Sequence, residues 1–302
     1  MPKNIFDRAR IKLTVTYTIA VIIIFVGSFL LNTWFDKILA EPSVDPLLRL
    51  GEALTVILVS ILSFYAAGRT LRPIETNYKL QKKFVANAAH ELRTPLAIMK
   101  TGAESVLATT PTKDDCLKLL VGLVEEVDHM TATVNDMLFL AQYDQHQKVS
   151  FKKFNLSALV QKQIALTLPY AAIKQIALIE DCPEFCFVNG DEPSLRRLFN
   201  NLLRNAIDYN KLNGKITVSL QKNSKGIELS VVDTGIGIAK NEIKYIFDRF
   251  YKTDQARTYN FSGAGLGLAI VKEIVTSHSG QIAVQSQPNK GTSFVVIFPA
   301  YS

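Results

Sequence analysis

The chain has 302 residues, and its 34 Lys and Arg against 27 Asp and Glu leave a formal charge of +7. Apolar residues make up 48%, enough for packed cores and against a fibrous or disordered chain, and the length suits about two domains. Cys116, Cys182 and Cys186 are too few for a disulfide scaffold, and Cys182 and Cys186, without a second Cys pair or a nearby His, read as packing residues rather than zinc ligands.

The first run, Leu13 to Leu31, carries no charge. As a helix it would measure about 28 Å, close to the hydrocarbon thickness of a bilayer. A cleaved signal peptide would have a shorter apolar region, about 7–15 residues, before a small-residue site. Here the run is longer and leads into Asn32-Thr33-Trp34-Phe35, so an uncleaved span is expected. A second run, Ala53 to Gly68, reaches spanning length with Gly51 and Glu52 at its edge. Lys3, Arg8, Arg10 and Lys12 precede the first run, and Arg69, Arg72, Lys79, Lys82 and Lys83 follow the second. The stretch between holds the mixed set Asp36, Lys37, Glu41, Asp45 and Arg49.

The positive-inside rule then predicts a multi-pass protein of the cell membrane with both termini cytoplasmic. Its spans are expected at 13–31 and 52–68, with an outer loop at 32–51 anchored by Trp34 and Phe35. That loop is too short to fold as a ligand-binding domain. A signal would be read by the spans, by the loop or by a membrane partner. Basic residues beside the inner leaflet account for much of the net charge, and no aromatic–basic groove points to direct nucleic acid binding.

Residues 71–147 read as two long helices. Val85, Ala89, Leu92, Leu96, Met99, Ala103 and Val106 alternate at spacings of four and three, a coiled-coil seam. Thr109-Thr110-Pro111-Thr112 breaks it, and a second seam follows at Leu120, Val124, Val127, Thr131, Val134, Leu138 and Ala141. Such an antiparallel hairpin cannot bury its stripe alone, so pairing into a homodimeric four-helix bundle is expected. His90 follows seam residue Ala89 and so lies on the flank, open to solvent, with Pro95 loosening the next turn.

The stretch Phe84-Val85-Ala86-Asn87-Ala88-Ala89-His90-Glu91-Leu92-Arg93-Thr94-Pro95-Leu96 resembles the H-box of bacterial sensor histidine kinases, nearly residue for residue. In that family the His accepts a phosphoryl group. The chemistry is suitable, because a neutral imidazole is a nucleophile near pH 7 and a carboxylate can take its other proton. The resemblance implies catalytic roles for His90, for Glu91 as base, and for Thr94 in orienting water during the reverse, phosphatase-type reaction.

From residue 150 the pattern changes to strands at Lys215–Leu220, Gly226–Val232, Gln281–Gln285 and Ser293–Phe298. Helices at Leu156–Leu168, Pro193–Tyr209 and Gly267–Ser277 lie between them, as in an α/β sandwich. Asn201 and Asn205 are one turn apart on one helix face, where amide oxygens suit a hard cation, although two such residues also make ordinary polar surface. Asp233-Thr234-Gly235-Ile236-Gly237 places a carboxylate at a strand end, able to accept from an exocyclic amine, and glycines that allow close approach. Ile246-Phe247-Asp248-Arg249-Phe250-Tyr251-Lys252 offers cations for phosphate, and Gly263-Ala264-Gly265-Leu266-Gly267 opens a helix. A dinucleotide-binding reading fails, because no strand feeds these glycines and their spacing is wrong.

In this order behind the H-box, the four features resemble the N, G1, F and G2 boxes of the same kinases, and the likeness covers Leu71 to Ser302. It implies a C-terminal α/β sandwich of the GHKL ATPase type at 150–302. It implies ATP and Mg²⁺ as cofactors, with Asn205 the Mg²⁺ ligand beside Asn201, and Asp233 on the adenine amine. Gly235, Gly237, Gly263, Gly265 and Gly267 would shape the pocket and its lid, and Arg249 and Lys252 would face the phosphates. The function implied is autophosphorylation of His90 and transfer to an Asp of a separate cytoplasmic response regulator, with regulator phosphatase activity. Two departures stand out. Asp208 occupies a place where the family often has a Lys near the phosphates, and there it would repel the polyphosphate. This motivates an alternative, a catalytically weak scaffold or phosphatase that binds the regulator. The HAMP relay usual between membrane and H-box does not fit between Gly68 and His90, so signals would pass as direct helix movement. His129 and His146 carry no motif, His278 matches a structural position of the family near a turn, and all three are expected to lack a catalytic role.

Overall fold

The structure, a computed structural model, describes residues 5–39, 46–108, 110–144, 151–224, 226–258 and 263–299. Its contacts divide the chain into two units, Met1–Ala86 and Asn87–Ser302.

In the first unit, helix α1 runs Ile5–Leu39 and helix α2, Pro46–Leu107, begins. Most of the expected outer loop 32–51 is therefore helical; only 40–45 of it lie outside the described residues. Helix propensity continues past Leu31 because no Pro or Gly interrupts the chain before Pro42. Ile23, Ile24, Leu30, Leu58, Leu62 and Tyr65 each expose more than half of their surface. Among the described residues no helix is long and apolar enough to cross a membrane. Several side chains of both expected spans, Leu13, Thr14, Thr18 and Leu31 in the first, lie outside the described residues.

In the second unit, α2 continues through Pro95 to Leu107, and helix α3 spans Lys113–Asp144. A reciprocal cap starts α3: the Thr112 backbone N–H and hydroxyl both donate to Asp115 (3.0 and 2.7 Å), and the Asp115 N–H donates to Thr112 Oγ1 (3.3 Å). The expected seam on α3 is solvent-exposed, with Leu120, Val124, Val127 and Leu138 each more than half open. The shielded positions sit one residue earlier, at Leu119, Leu123, Met130, Thr133, Met137 and Leu140, again at spacings of three and four or their sum. Leu119 lies over Gly102 of α2, so this earlier stripe is the one that faces α2 there.

The α/β part has a five-stranded sheet in the order β2-β4-β5-β7-β6 and a two-stranded ribbon of β1 and β3. The strands are β1 (Lys152–Asn155), β2 (Ala177–Asp181), β3 (Phe187–Gly190), β4 (Lys215–Asn223), β5 (Gly226–Asp233), β6 (Gln281–Gln287) and β7 (Gly291–Pro299). Among the described strands only β2 and β4 pair in parallel. Alternation turns Ile216, Val218 and Leu220 of β4, Leu229 and Val231 of β5, and Phe294, Val296 and Phe298 of β7 to one buried face. Helices α4 (Leu156–Ile173), α5 (Glu192–Asp208) and α7 (Gly267–Ser277) contribute buried residues to the same core, and short α6 spans Asp254–Thr258. Asn155 caps α4 through Ser157 N–H, and Asp191 caps α5 through Ser194 N–H. Helix α4 runs five residues past the expected end at Leu168, carrying Pro169 inside it. Leu140 of α3, fully buried, is part of the same core, so the end of the hairpin is packed into the α/β part.

Candidate functional site

The same alternation that buries Leu229 and Val231 turns Asp233, the last residue of β5, toward the layer between sheet and helices. Its Oδ1 accepts from the N–H of Gly235 (2.8 Å) and of Thr292 (3.2 Å), which leaves Oδ2 for a ligand's donor. Burial pushes its pKa up to about 6, and the two backbone bonds hold it from rising further. Close backbone approach builds the surrounding wall. A Cβ on Gly237 (φ +68°) would fall 2.0 Å from Gln287 O, and one on Gly291 (φ +105°) 2.0 Å from Asp233 O.

A cleft lined mainly by apolar side chains opens beside Asp233. Asn205, Asp233, Gly237 and Lys252 of the expected site line it, with Tyr209, Ile236, Ile238, Ile246, Tyr251, Thr253, Ala256, Leu268, Thr292 and Phe294. It is thus an apolar slot with a carboxylate, an amide and an ammonium at its edge. Gly235 supports it through the Asp233 bond. Asn201 lies one turn from Asn205 beside Gly267, and its buried Nδ2 has no hydrogen-bond partner, an orphaned donor that a bound ligand can satisfy. Arg249, Gly263 and Gly265 do not line the cavity, and residues 259–262, in the expected lid, lie outside the described residues. Phe250 adopts φ +64°, an uncommon conformation for a bulky residue, and its N–H donates to Gly265 O (2.9 Å).

On α2, His90 is exposed, as its flank position requires. Thr94 Oγ1 donates to the His90 carbonyl at 3.4 Å. Pro95 has no N–H, so the helical bond to the Glu91 carbonyl is missing, while its buried ring keeps the helix continuous. The Glu91 carboxylate lies 3.5 Å from Lys252 Nζ, which ties the residue after His90 to the cavity wall. No local pattern in the sequence announces that pair.

Asp208 corrects the expectation of phosphate repulsion. It does not line the cavity. Its side chain turns toward α4, where Tyr170 donates to Oδ1 (2.5 Å) and Arg204 Nε lies 3.4 Å from Oδ2. Lys174 donates to the carbonyls of Ile207 (3.0 Å) and Asp208 (2.7 Å), so the end of α5 is tied down from α4. Burial and the Asp208 bond push the Tyr170 phenol up to about 12.

The packed end of α3 was also not foreseen. Arg197 of α5 pairs with Asp136, donates to Asn135 O (3.0 Å) and covers the Phe139 ring, and Tyr143 shares a 2.6 Å hydrogen bond with Ser194. His278 is structural, as expected. It accepts from Asp191 N–H (3.0 Å) at Nε2, bonds Ile274 O (2.8 Å) through Nδ1 and stacks on Phe151, and burial lowers its pKa. His129 carries no ligand cluster; among the described residues no group of His, Cys, Asp and Glu could hold a metal ion. His146 lies outside the described residues.

Residues 80–146 match the His Kinase A (phospho-acceptor) domain, and residues 190–302 match the histidine kinase-, DNA gyrase B-, and HSP90-like ATPase. Sensor histidine kinase RppB of Synechocystis sp. is 33% identical over 259 residues, which are 85% of this chain and 57% of that protein. Full-length ShkA, solved in complex with AMPPNP, has a TM-score of 0.55 at 26% identity, over 73% of this chain and 47% of ShkA. Histidine kinase ThkA, solved with the response regulator protein TrrA, shares the fold at a TM-score of 0.61 and 21% identity, over 77% of this chain and 66% of ThkA. The chain spans about half the length of the curated relatives it matches. With its phosphoacceptor and ATPase domains in this order on one polypeptide, the protein belongs to the sensor histidine kinases.

Proposed function

We propose that the protein transfers the γ-phosphoryl group of ATP to His90 and from there to an Asp of a response regulator. The observation that carries this reading is the Lys252–Glu91 pair, which joins the wall of the Asp233 cavity to the residue after the phosphoacceptor. Adenine would enter the apolar slot and donate its exocyclic amine to Asp233 Oδ2. The orphaned Asn201 Nδ2 would donate to a phosphate oxygen, and the amide oxygen of the cavity-lining Asn205 would be the ligand of a phosphate-bound Mg²⁺. A bound Mg²⁺ would neutralise phosphate charge during transfer. Lys252 and Arg249 would complement the phosphates. An imidazole nitrogen of His90 forms the N–P bond as the bond from phosphorus to the ADP oxygen breaks, and Glu91 takes the proton from the other ring nitrogen. Because Asp208 is engaged by Tyr170 and Arg204, the motive for a scaffold that binds nucleotide poorly falls away.

Thr94, exposed on the same face region and weakly tied to the His90 carbonyl, is the residue we assign to orienting water for regulator dephosphorylation. The exposed stripe of α3 supports a homodimer, and the exposed apolar side chains of α1 and α2 support a membrane location with two spans. The ThkA–TrrA complex supports a regulator as partner. The domains are assigned as membrane region 1–70, phosphotransfer hairpin 71–147 and ATP-binding domain 150–302.

The test is incubation of the full chain with γ-labelled ATP. Acid-labile, alkali-stable label on the wild type and none on His90→Gln is the expected result; equal label on both overturns the assignment.

A further inference from the structure

Lys252 and Glu91 belong to different halves of the proposed reaction. Lys252 lines the nucleotide cavity, near the phosphate end marked by Asn205. Glu91 neighbours the nucleophile and is the base assigned to it. The two meet at 3.5 Å, with 25% and 29% of their side-chain surfaces exposed, so each charge has the other as its near neighbour and is partly shielded from water. His90 beside them is open to solvent. An ammonium paired with Glu91 is less available to a polyphosphate. A carboxylate turned to Lys252 has that ammonium as its partner in place of the imidazole.

We propose that Glu91 and the nucleotide phosphates compete for Lys252, so that nucleotide binding releases Glu91 to serve His90. The inference rests on the kinase reading above. In the nucleotide-free protein the pair keeps the base and the phosphate-binding cation mutually neutralised. When the polyphosphate enters, Lys252 exchanges one anion for another, and Glu91 gains a free carboxylate only when a phosphoryl donor is present. The base is thereby made conditional on occupancy of the site, without a separate regulatory ligand. The same exchange runs in reverse on product release. Lys252 is a positioning residue for Glu91 as well as a phosphate contact.

The competition has a thermodynamic signature that needs no turnover, because linkage makes the two equilibria reciprocal. AMPPNP binding with Mg²⁺ is measured by calorimetry on the full-length chain in detergent, for wild type, Glu91→Gln, Lys252→Gln and the double variant. Glu91→Gln removes the competitor and should tighten AMPPNP about three- to ten-fold, the range of a partly buried ion pair. Lys252→Gln should weaken it, and adding Glu91→Gln to Lys252→Gln should produce no further tightening. An unchanged affinity in Glu91→Gln overturns the competition and leaves the kinase reading intact. Equal tightening in both backgrounds also overturns it, since the effect is then a general field of the carboxylate. A wild type that binds no AMPPNP overturns the kinase reading and the competition with it.

Discussion

The hairpin and the α/β domain solve the same burial problem to different degrees. In the α/β domain every strand of the central three turns its apolar side chains inward, against α4, α5 and α7, and Leu198, Phe199, Ile207 and Val231 are fully closed off. The hairpin shields the α3 stripe that ends in Leu140, and it leaves the adjacent stripe through Leu120, Val124 and Val127 open. A domain that is complete can hold a strained or charged site, such as Asp233 and Phe250, on its own stability. A hairpin that leaves such a stripe open would gain stability from a second copy in the proposed homodimer. On the proposed function, the division teaches where regulation can act: the nucleotide site would be a property of one chain, and the surroundings of His90 a property of the dimer.

The largest expected effect would sharpen this contrast. His90→Gln changes an exposed residue with no packing role, so folding and nucleotide binding should be unaltered while phosphorylation is lost entirely; radiolabelling and calorimetry on the same sample read both. The next effect lies within the complete domain. In Asp233→Asn, Oδ1 can keep both backbone bonds, but Nδ2 replaces Oδ2 and presents a donor to the adenine amine. Nucleotide affinity should fall about 100-fold or more, by loss of a charge-assisted bond and creation of an unpaired donor.

The same variant should be more stable without nucleotide. The folded-state pKa of about 6 lies above the usual 3.8, so the carboxyl favours folding fully below pH 3.8, and that contribution is lost as the pH rises through about 6. A neutral Asn avoids the loss and should gain up to about 3 kcal/mol in urea unfolding near pH 7.5. The gain should vanish as the pH falls toward 3.8. A pH-independent difference would mean that desolvation of the carboxylate is not its cause.

How much of this could be read from residue order depends on how local the cause is. The amphipathic stripe of α5, the alternation of β4, β5 and β7 and the glycine-led start of α7 are each written within a few neighbouring residues, and they were legible. So was the convergence of Asn205, Asp233, Gly237 and Lys252 on one cavity, though only through resemblance of the ordered boxes. The edge strand β2 was not, because its exposed sequence Ala177–Asp181 lacks alternation and is fixed by pairing with β4. The end of α4 was missed because Pro169 signals a stop, whereas the tether from Tyr170 and Lys174 to α5 holds the helix for another turn. On α3 the heptad spacing was right but was assigned to one face, when two adjacent stripes share that spacing, one shielded within the chain and one exposed. Asp208 looked hostile to phosphate because spacing along a helix does not say that a tyrosine from another helix turns the carboxylate away.

The exposed stripe gives the fourth prediction. Val124→Asp should break the homodimer while leaving AMPPNP affinity within about two-fold, because it lies on α3 away from the cavity. Burial of one such side chain in an interface is worth about 1.5–3 kcal/mol, and it counts twice in a symmetric dimer, so the dimer Kd should rise at least about 100-fold by analytical ultracentrifugation. A dimer that survives this change would move the association surface to another face and weaken the contrast between the two regions.

The smallest effect tests whether Asp208 is structural. Tyr170→Phe removes one donor from a carboxylate that is otherwise held by Arg204, and it keeps the ring. Asp208 is mostly buried, so the lost bond should not be fully replaced by water, and a cost of about 1–2 kcal/mol in urea unfolding is expected. AMPPNP affinity should stay the same, because neither residue lines the cavity. If the affinity instead dropped several-fold with stability unchanged, the released carboxylate would be reaching the phosphates, and Tyr170 would be the group that keeps a negative charge out of the site.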